Sequence, residues 1–198
     1  MHRFLVITLA LATLLVSAQA SAQMGGGGNG NGNGNGKGNG HGNKGAVILS
    51  FTNMAGVNGP FLGAANPLRG IDGDTLPWVV RSAKGTLTSS GRLSLAVKGL
   101  VFPSDDPNVP AELQGTNDEE NFRAVVSCVT LNGGVMQNMN VTTEPFPASP
   151  KGNAKVRTTV SLPQPCLTPA VFIISGDEED WFAVTGGPPA GSSGSGTP

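Results

Sequence analysis

The fold of this chain is indicated most clearly by residues 92–98, which read RLSLAVK. Apolar and polar side chains alternate here, so that Leu93, Leu95 and Val97 fall on one face and the remaining residues fall on the other. A period of two residues is typical of a β-strand with one buried and one exposed face. We therefore predict a half-buried antiparallel strand.

Turn residues flank this strand on both sides. Residues 89–91 read SSG, and we expect them to form the turn of a hairpin with the preceding segment. Gly99 follows the strand directly. A glycine at that position predicts a bulge or bend, which would return Leu100 to the core side of the sheet.

Other segments also have the character of strands. Residues 122–131 read FRAVVSCVTL and are apolar on both faces, which is typical of a central strand. The NGG sequence that follows predicts a turn into a second strand near 135–142. Residues 155–162 alternate between apolar and polar, with the valines directed inward. Residues 170–175 and 181–185 are expected to form a closing pair.

These predicted strands are short and are separated by many turn residues. The chain has 15 prolines and 30 glycines, and no segment shows a helical apolar stripe longer than two turns. Many short strands at fairly regular spacing favour an all-β fold. We predict an antiparallel β-sandwich, or an open barrel, flanked by disordered tails.

The two ends of the chain differ in composition from its centre. Residues 1–22 combine early basic residues, an uncharged apolar run and terminal small residues, which is the pattern of a secretory signal peptide. Residues 23–45 are rich in Gly and Asn, and residues 186–198 are rich in Gly, Ser and Pro, so both are expected to be disordered linkers. One domain is predicted over 46–185. No later segment has the roughly 20 apolar residues of a membrane span, so we expect a secreted chain without a transmembrane segment.

The predicted domain is mildly acidic and lacks histidine. Of 12 basic residues, Arg3, Lys37 and Lys44 lie outside it, so with 13 acidic residues its net charge is 9 − 13 = −4. This charge disfavours binding to nucleic acid, which needs a basic surface. The chain has no tyrosine, and its only histidines are His2 and His41. The commonest general base and histidine-ligated metals are thereby removed, and we predict no cofactor and no catalytic residue.

Cys128 and Cys166 are the only cysteines of a chain that we expect to be exported. An even number of cysteines in an oxidising compartment predicts a disulfide between them. A reactive thiol or a metal-ligand pair fits less well, since the two residues are far apart in sequence and no helper base is available.

An acidic run precedes the second tryptophan of the chain and falls in a predicted loop. It consists of Asp177, Glu178, Glu179 and Asp180. Clustered carboxylates on a loop can hold Ca²⁺, although the spacing does not match an EF-hand. The alternative interpretation is a solvated turn that blocks aggregation.

The predicted loop at 103–121 is long and carries acidic residues without any basic one. The acidic residues are Asp105, Asp106, Glu112, Asp118, Glu119 and Glu120. Long loops in compact domains are often functional, so a binding loop and a plain surface loop both remain open. A glycosidase would need two of these carboxylates about 5–10 Å apart in a cleft.

Trp78 and Trp181 are candidate ligand-binding residues, because exposed tryptophans on β-sandwiches often form platforms for sugars. The alternative is that both rings are needed for the core of a chain with few aromatic residues. Asn140 begins the sequence Asn-Val-Thr, which is an N-glycosylation sequon if the host glycosylates.

Several stretches of the domain carry a resemblance to known sequences: LPWVV at 76–80, GRLSLAVKGLV at 91–101, FRAVVSCVTL at 122–131, EPFPA at 144–148, and SLPQPC with AVFIIS within 161–175. Across roughly 70–185 the chain resembles a group of small secreted proteins, mostly bacterial. The FRAVVSC block and the later PC pair are the most specific part. The resemblance implies a shared disulfide-tied domain, and it carries no activity, substrate or catalytic residue.

These observations predict an exported, non-catalytic β module with a structural, adhesive or ligand-binding role outside the cytoplasm. Its partner would be an extracellular or cell-surface ligand rather than nucleic acid. Two alternatives remain: an extracellular hydrolase that uses the carboxylates of 103–121 or 177–180, and a calcium-stabilised binding module.

Overall fold

The structure is a computed structural model, and it describes residues 45–186. The predicted signal peptide at 1–22, the glycine-rich tract up to residue 44 and the tail from residue 187 lie outside the described residues. Between 45 and 186, ten strands form two antiparallel sheets that pack together, which confirms the predicted β-sandwich. None of these residues belongs to a helix long and apolar enough to cross a membrane.

The first sheet has four strands, and all of its pairs are antiparallel. Numbered along the chain and given in spatial order, they are β1 (Val47–Phe51), β3 (Val79–Thr88), β4 (Arg92–Val101) and β8 (Ala154–Thr159). β3 and β4 form the predicted hairpin, whose turn at residues 89–91 is closed by a bond from the Gly91 N–H to the Thr88 carbonyl, 2.9 Å.

The second sheet has six strands. In spatial order they are β2 (Met54–Gly56), β10 (Trp181–Thr185), β9 (Leu167–Ser175), β5 (Asn121–Asn132) and β6 (Val135–Thr142), with β7 (Phe146–Pro147) pairing beside the start of β5. Two short 3-10 turns, Gly59–Phe61 and Gly63–Ala65, lie between β2 and β3. The predicted pairing of 170–175 with 181–185 is confirmed by the β9–β10 ladder.

β4 contains the alternating stretch, and its inward-facing residues Leu93, Leu95 and Val97 are buried as predicted. Gly99 has a positive φ of 63°, and Leu100 is buried, so the predicted bend returns the chain to the core. The bend at Gly99 changes the pairing of β4 with only one of its two neighbouring strands. The ladder with β3 continues through it without a shift, whereas on the β8 side the Leu100 N–H donates to the carbonyl of Gly152 instead.

β5 is the central strand that its sequence predicts, because it pairs with β9 on one edge and with β6 and β7 on the other. Its residues 124–128 are all buried. One face is covered by the first sheet. The other is covered in part by the segment between β2 and β3, from which Arg69 donates to the Ser127 carbonyl at 3.5 Å.

The largest aromatic cluster of the core surrounds Trp78. The indole stacks on Phe182 with ring centroids 4.2 Å apart, and it also contacts Phe102 at 4.3 Å and the edge of Phe122 at 6.5 Å. Such aromatic pairs contribute beyond the area they bury. The ring cluster therefore anchors β5, β10 and the start of β3 to one another.

Cys128 and Cys166 form the predicted disulfide, with Cα atoms 4.9 Å apart. Cys128 lies in the centre of β5, and Cys166 immediately precedes β9. The bond therefore joins two neighbouring strands at the end of their ladder. Neither of these cysteines is free.

Candidate binding site at the acidic end of the sandwich

The two acidic segments that the sequence predicts separately meet at one end of the sandwich. Residues 118–120, which precede β5, and residues 176–178, which follow β9, line a shared cavity of about 400 Å³. A third segment, residues 72–74, lies alongside the start of β10. Its backbone pairs with Trp181, whose N–H donates to the Asp72 carbonyl at 2.9 Å and whose carbonyl accepts from the Asp74 N–H at 3.2 Å. We call residues 72–74, 118–120 and 176–180 together the acidic end.

The other carboxylates of the long loop do not join the acidic end. Asp105, Asp106 and Glu112 lie in the first part of the loop, where the Asp106 carboxylate accepts two bonds of 2.9 Å from the backbone and side chain of Asn108. The loop as a whole is folded rather than extended. The Phe102 N–H donates to the Thr116 carbonyl at 2.9 Å and closes it.

Asn117 holds the end of this loop in place, and the sequence alone gives no signal for its role. Its side chain is 5% exposed. The amide nitrogen donates to the carbonyls of Glu119 and Ser149, at 2.7 and 2.9 Å, while the amide oxygen accepts from the Glu119 N–H at 3.1 Å. Asn117 therefore fixes the backbone that carries Asp118 and Glu119 to the segment after β7.

Burial, together with neighbouring carboxylates, raises the pKa of three acidic residues at the acidic end. Burial raises the pKa of Glu119 above its ordinary value, and the neighbouring charges of Asp177 and Asp118 raise it further. Burial likewise raises the pKa of Asp118, with a smaller contribution from Asp74. The pKa of Asp180 is raised by burial first and then by Asp74, Glu178 and Asp72. These groups are therefore easier to protonate than free carboxylates.

A second cavity, of about 240 Å³, lies on the outer face of β5 and beside the β9–β10 turn. Its apolar floor consists of Ile71, Val125 and Ile174. Its polar lining consists of Asp72, Arg123, Asn140, Thr142, Glu179 and Asp180. We call it the Arg123 cavity, since Arg123 is its only basic residue.

Arg123 is held against the β9–β10 turn by one strong hydrogen bond. Its Nε donates to the Gly176 carbonyl at 2.6 Å. Within residues 45–186 its terminal nitrogens make no further hydrogen bond, so their N–H groups remain for a ligand. Asn140, the sequon residue, is exposed at the rim of the cavity and donates from its side chain to the Arg69 carbonyl at 3.2 Å.

The two candidate tryptophans are placed in the core and not on the surface. Trp78 is 1% exposed and Trp181 is 3% exposed, so neither ring presents a platform to solvent. Both nevertheless contact the acidic end. The Trp78 indole N–H donates to the Asp74 carboxylate, and the Trp181 backbone holds Asp72 and Asp74 as described above.

The predicted calcium ligands occupy the β9–β10 turn and divide between the two cavities. Asp177 and Glu178 line the larger cavity, whereas Glu179 and Asp180 line the Arg123 cavity. The Ser175 hydroxyl donates to the Asp177 carboxylate at 2.9 Å and accepts from the backbone N–H groups of Asp177 and Glu178. These three hydrogen bonds close the turn. In the part of the chain that the structure describes, no three acidic, histidine or cysteine side chains are grouped to hold a metal ion.

Comparison of the chain with protein-family models, with curated proteins and with solved structures gives no match. The indications of function therefore lie in the two cavities and on the surface of the sandwich. Of the two cavities, only the one beside Arg123 combines an apolar floor with hydrogen-bonding groups of both kinds.

Proposed function

We propose that this protein is an exported, non-catalytic β-sandwich module that binds a small neutral polar ligand outside the cytoplasm. The observation that carries the proposal is the Arg123 cavity. It is concave and has the mixture of apolar wall and convergent polar groups that is typical of ligand sites. The signal-peptide pattern of residues 1–22 and the disulfide support export.

The size of the cavity limits the ligand. A volume of about 240 Å³ is below the range of about 300–1,000 Å³ that is usual for pockets of drug-sized ligands. The occupant is therefore small, or it is a single unit of a polymer whose remaining units stay in solvent. The open position of the cavity beside β6 is compatible with a polymer that continues beyond it.

The charges of the cavity limit the ligand further. Asp72, Glu179 and Asp180 outnumber the single guanidinium of Arg123, so an anionic ligand is disfavoured. Carboxylates accept hydrogen bonds and the guanidinium donates them, which suits a molecule that carries several hydroxyl groups. The apolar floor suits the C–H face of a ring. A sugar unit of a polysaccharide combines these properties.

The melting temperature of the protein in the presence of single saccharides and polysaccharides tests this proposal. A ligand at 100 times its Kd adds about 2.7 kcal/mol to the free energy of unfolding, which raises the melting temperature by a few degrees. We expect Glu179→Gln to abolish the shift, because Glu179 lines the cavity, is exposed and supports no part of the fold.

Glu178→Gln is the matched control, since Glu178 is the neighbouring exposed residue and lines the other cavity. That variant is expected to keep the full shift. The proposal fails if no saccharide changes the melting temperature, or if Glu179→Gln responds as the unaltered protein does. Parallel samples with CaCl₂ and EDTA test the calcium-stabilised alternative.

One observation favours a second candidate function, a carboxylate-dependent extracellular hydrolase. The pKa of Glu119 is raised by burial and by the charges of Asp177 and Asp118, and a carboxyl with a raised pKa is the kind of group that serves as a general acid in glycosidases. Release of reducing sugar from a polysaccharide, lost in Glu119→Gln and retained in Glu112→Gln, would support it. Absence of turnover in the unaltered protein would exclude it for the polysaccharides tried.

A further inference from the structure

Five strands lie at the edges of the two sheets, and four of them are poorly suited to pairing with another chain, the shortest being β7 with two residues. β1 has five residues and an irregular register between Val47 and Leu49. β2 has three residues. β8 carries Lys155 and Arg157 on its exposed face. Short length, bulges and charges are the usual protections of a sheet edge.

β6 has none of these protections. It has eight residues, and its sequence VMQNMNVT contains no charge and no proline. It follows β5 in one uninterrupted register. Val135, Met136 and Met139 are 66%, 67% and 39% exposed, although they are large apolar side chains. No described segment other than β5 bonds to the backbone of β6.

We propose that β6 pairs antiparallel with β6 of a second copy of this chain, so that two six-stranded sheets become one continuous sheet. A long, uncharged, regular edge strand is a template for such pairing. A closed two-fold dimer uses the same edge of both copies and leaves none of it open.

The register follows from the direction of the backbone groups. The two-residue turn at Gly133-Gly134 makes Asn132 and Val135 a hydrogen-bonded pair, so the odd-numbered residues of β6 direct their N–H and C=O groups to β5. In agreement with this alternation, both backbone groups of Ala124 bond towards Thr143, on the β6 side.

The even-numbered residues of β6 therefore direct their backbone groups to the free edge. They are Met136, Asn138, Asn140 and Thr142. A two-fold axis through Met139 places Asn138 opposite Asn140 of the second copy and Met136 opposite its Thr142. By symmetry each of these pairs occurs twice. Four pairs with two hydrogen bonds each give about eight hydrogen bonds. The two Met139 side chains then meet at the axis, and the amides of Asn138 and Asn140 are within reach of each other.

The two-fold register and the charge distribution of the chain both suit a second copy in this orientation. The Thr142 end of β6 leads into the acidic end, where Pro145 lines the larger cavity, whereas the Val135 end is the apolar hairpin tip. Antiparallel pairing places the two acidic ends at opposite ends of the dimer, so that they do not repel each other. Because β6 carries no charge, its pairing with a second β6 also buries no unpaired charge between the two strands. This pairing does not depend on the Arg123 cavity.

The molecular mass in solution of the chain without its predicted signal peptide, measured by light scattering from micromolar to millimolar concentration, tests the proposal. We expect the mass to double as the concentration rises. Met139→Lys places like charges opposite each other at the axis, and Asn138→Pro removes one N–H from the free edge without removing any bond to β5. Both variants are expected to remain monomeric while keeping the far-UV circular dichroism of the unaltered protein.

Val135→Lys is the matched control, because it adds the same charge to β6 outside the paired residues 136–142. It is expected to keep the dimer. Amide hydrogen exchange on the unaltered protein gives an independent measurement, since the N–H groups of Asn138 and Asn140 should exchange more slowly only at high concentration. A protein that stays monomeric at millimolar concentration, or a dimer that survives Asn138→Pro and Met139→Lys or is lost in Val135→Lys, overturns the proposal.

Discussion

At the scale of single residues, the acidic end depends on side chains whose role lies in hydrogen bonding rather than in charge. Asn117 is the main example, because one buried amide satisfies three backbone groups from two segments. Nothing in a polar loop sequence distinguishes this asparagine from Asn108, which is exposed and bonds only to Asp106. Arg123 was equally hard to identify, since its importance comes from the β9–β10 turn beside it. The disulfide was predictable because an even number of cysteines in a chain expected to be exported suffices to predict it.

Replacement of Asn117 by alanine is expected to lower the free energy of unfolding by about 2 kcal/mol. The carbonyls of Glu119 and Ser149 lose their donor, and a buried polar group without a partner is destabilising by about 1–3 kcal/mol. Urea denaturation measures the change. Asn108→Ala, at an exposed position of the same loop, should change stability by less than about 0.5 kcal/mol. Equal effects of the two substitutions would contradict the role assigned to Asn117.

Acidification from pH 7 towards 4.5, the ordinary pKa of a glutamic acid, is expected to raise the melting temperature. The pKa of Glu119 is higher in the folded protein than in the unfolded chain, so the folded state binds the proton more tightly in this range. The stabilisation is complete below the unfolded value and is lost as the pH rises through the folded value. Glu119→Gln should flatten this dependence, and Glu112→Gln, far from the acidic end, should leave it as it is. A melting temperature that falls on mild acidification by the same amount in all three proteins would refute this account.

At the scale of elements, the strands with a clear period of two were predictable and their partners were not. β4, β5 and the β9–β10 pair follow from alternation and turn residues, because these patterns are local. β2 and β7 are too short to show a period, and they form only because neighbouring strands supply their hydrogen bonds. The segment 103–121 is a loop, as predicted, but it is not an extended chain. It is folded instead, since its backbone bonds come from within the loop and from residues 149–150, which no local pattern reveals.

Gly152→Ala is expected to destabilise the sandwich by more than the roughly 1–2 kcal/mol of a left-handed backbone conformation alone. Gly152 has a φ of 64°, and a Cβ there would overlap the Leu100 carbonyl at the bend of β4. Gly133→Ala isolates the backbone contribution, because Gly133 has a φ of 58° and nothing within 4 Å of a Cβ. Thermal unfolding of both variants measures the difference. If the two are equally destabilised, the close approach of Gly152 to β4 is unimportant.

At the scale of the whole molecule, segments that are distant in sequence meet at the acidic end, and the disulfide ties the central strand to its neighbour. The sandwich class was predictable, because it needs only the number and period of the strands. The meeting of residues 72–74, 118–120 and 176–180 was not, since it depends on the spatial order of the strands. Alternation does not determine that order.

Removal of the disulfide by Cys128→Ser together with Cys166→Ser is expected to lower the free energy of unfolding by about 4 kcal/mol, the chain-entropy estimate for a closed loop of this length. The loop spans a sequence separation of 38 residues. Chemical denaturation of the oxidised protein and of the double variant measures the difference. A change below about 1 kcal/mol would show that the unfolded chain is not constrained by the bond in the way the estimate assumes.

The hydrogen bond between Trp78 and Asp74 gives the molecule an optical reporter of its own. The chain has two tryptophans and no tyrosine, and both indoles belong to residues bonded to the segment 72–74. Indole emission depends on the electric field around the ring, so protonation or ligand binding near Asp72 and Asp74 should change its wavelength or intensity. A fluorescence titration of the unlabelled protein would then follow protonation or ligand binding at the acidic end directly. No substitution in the core, such as at Phe182, would be needed to introduce a reporter.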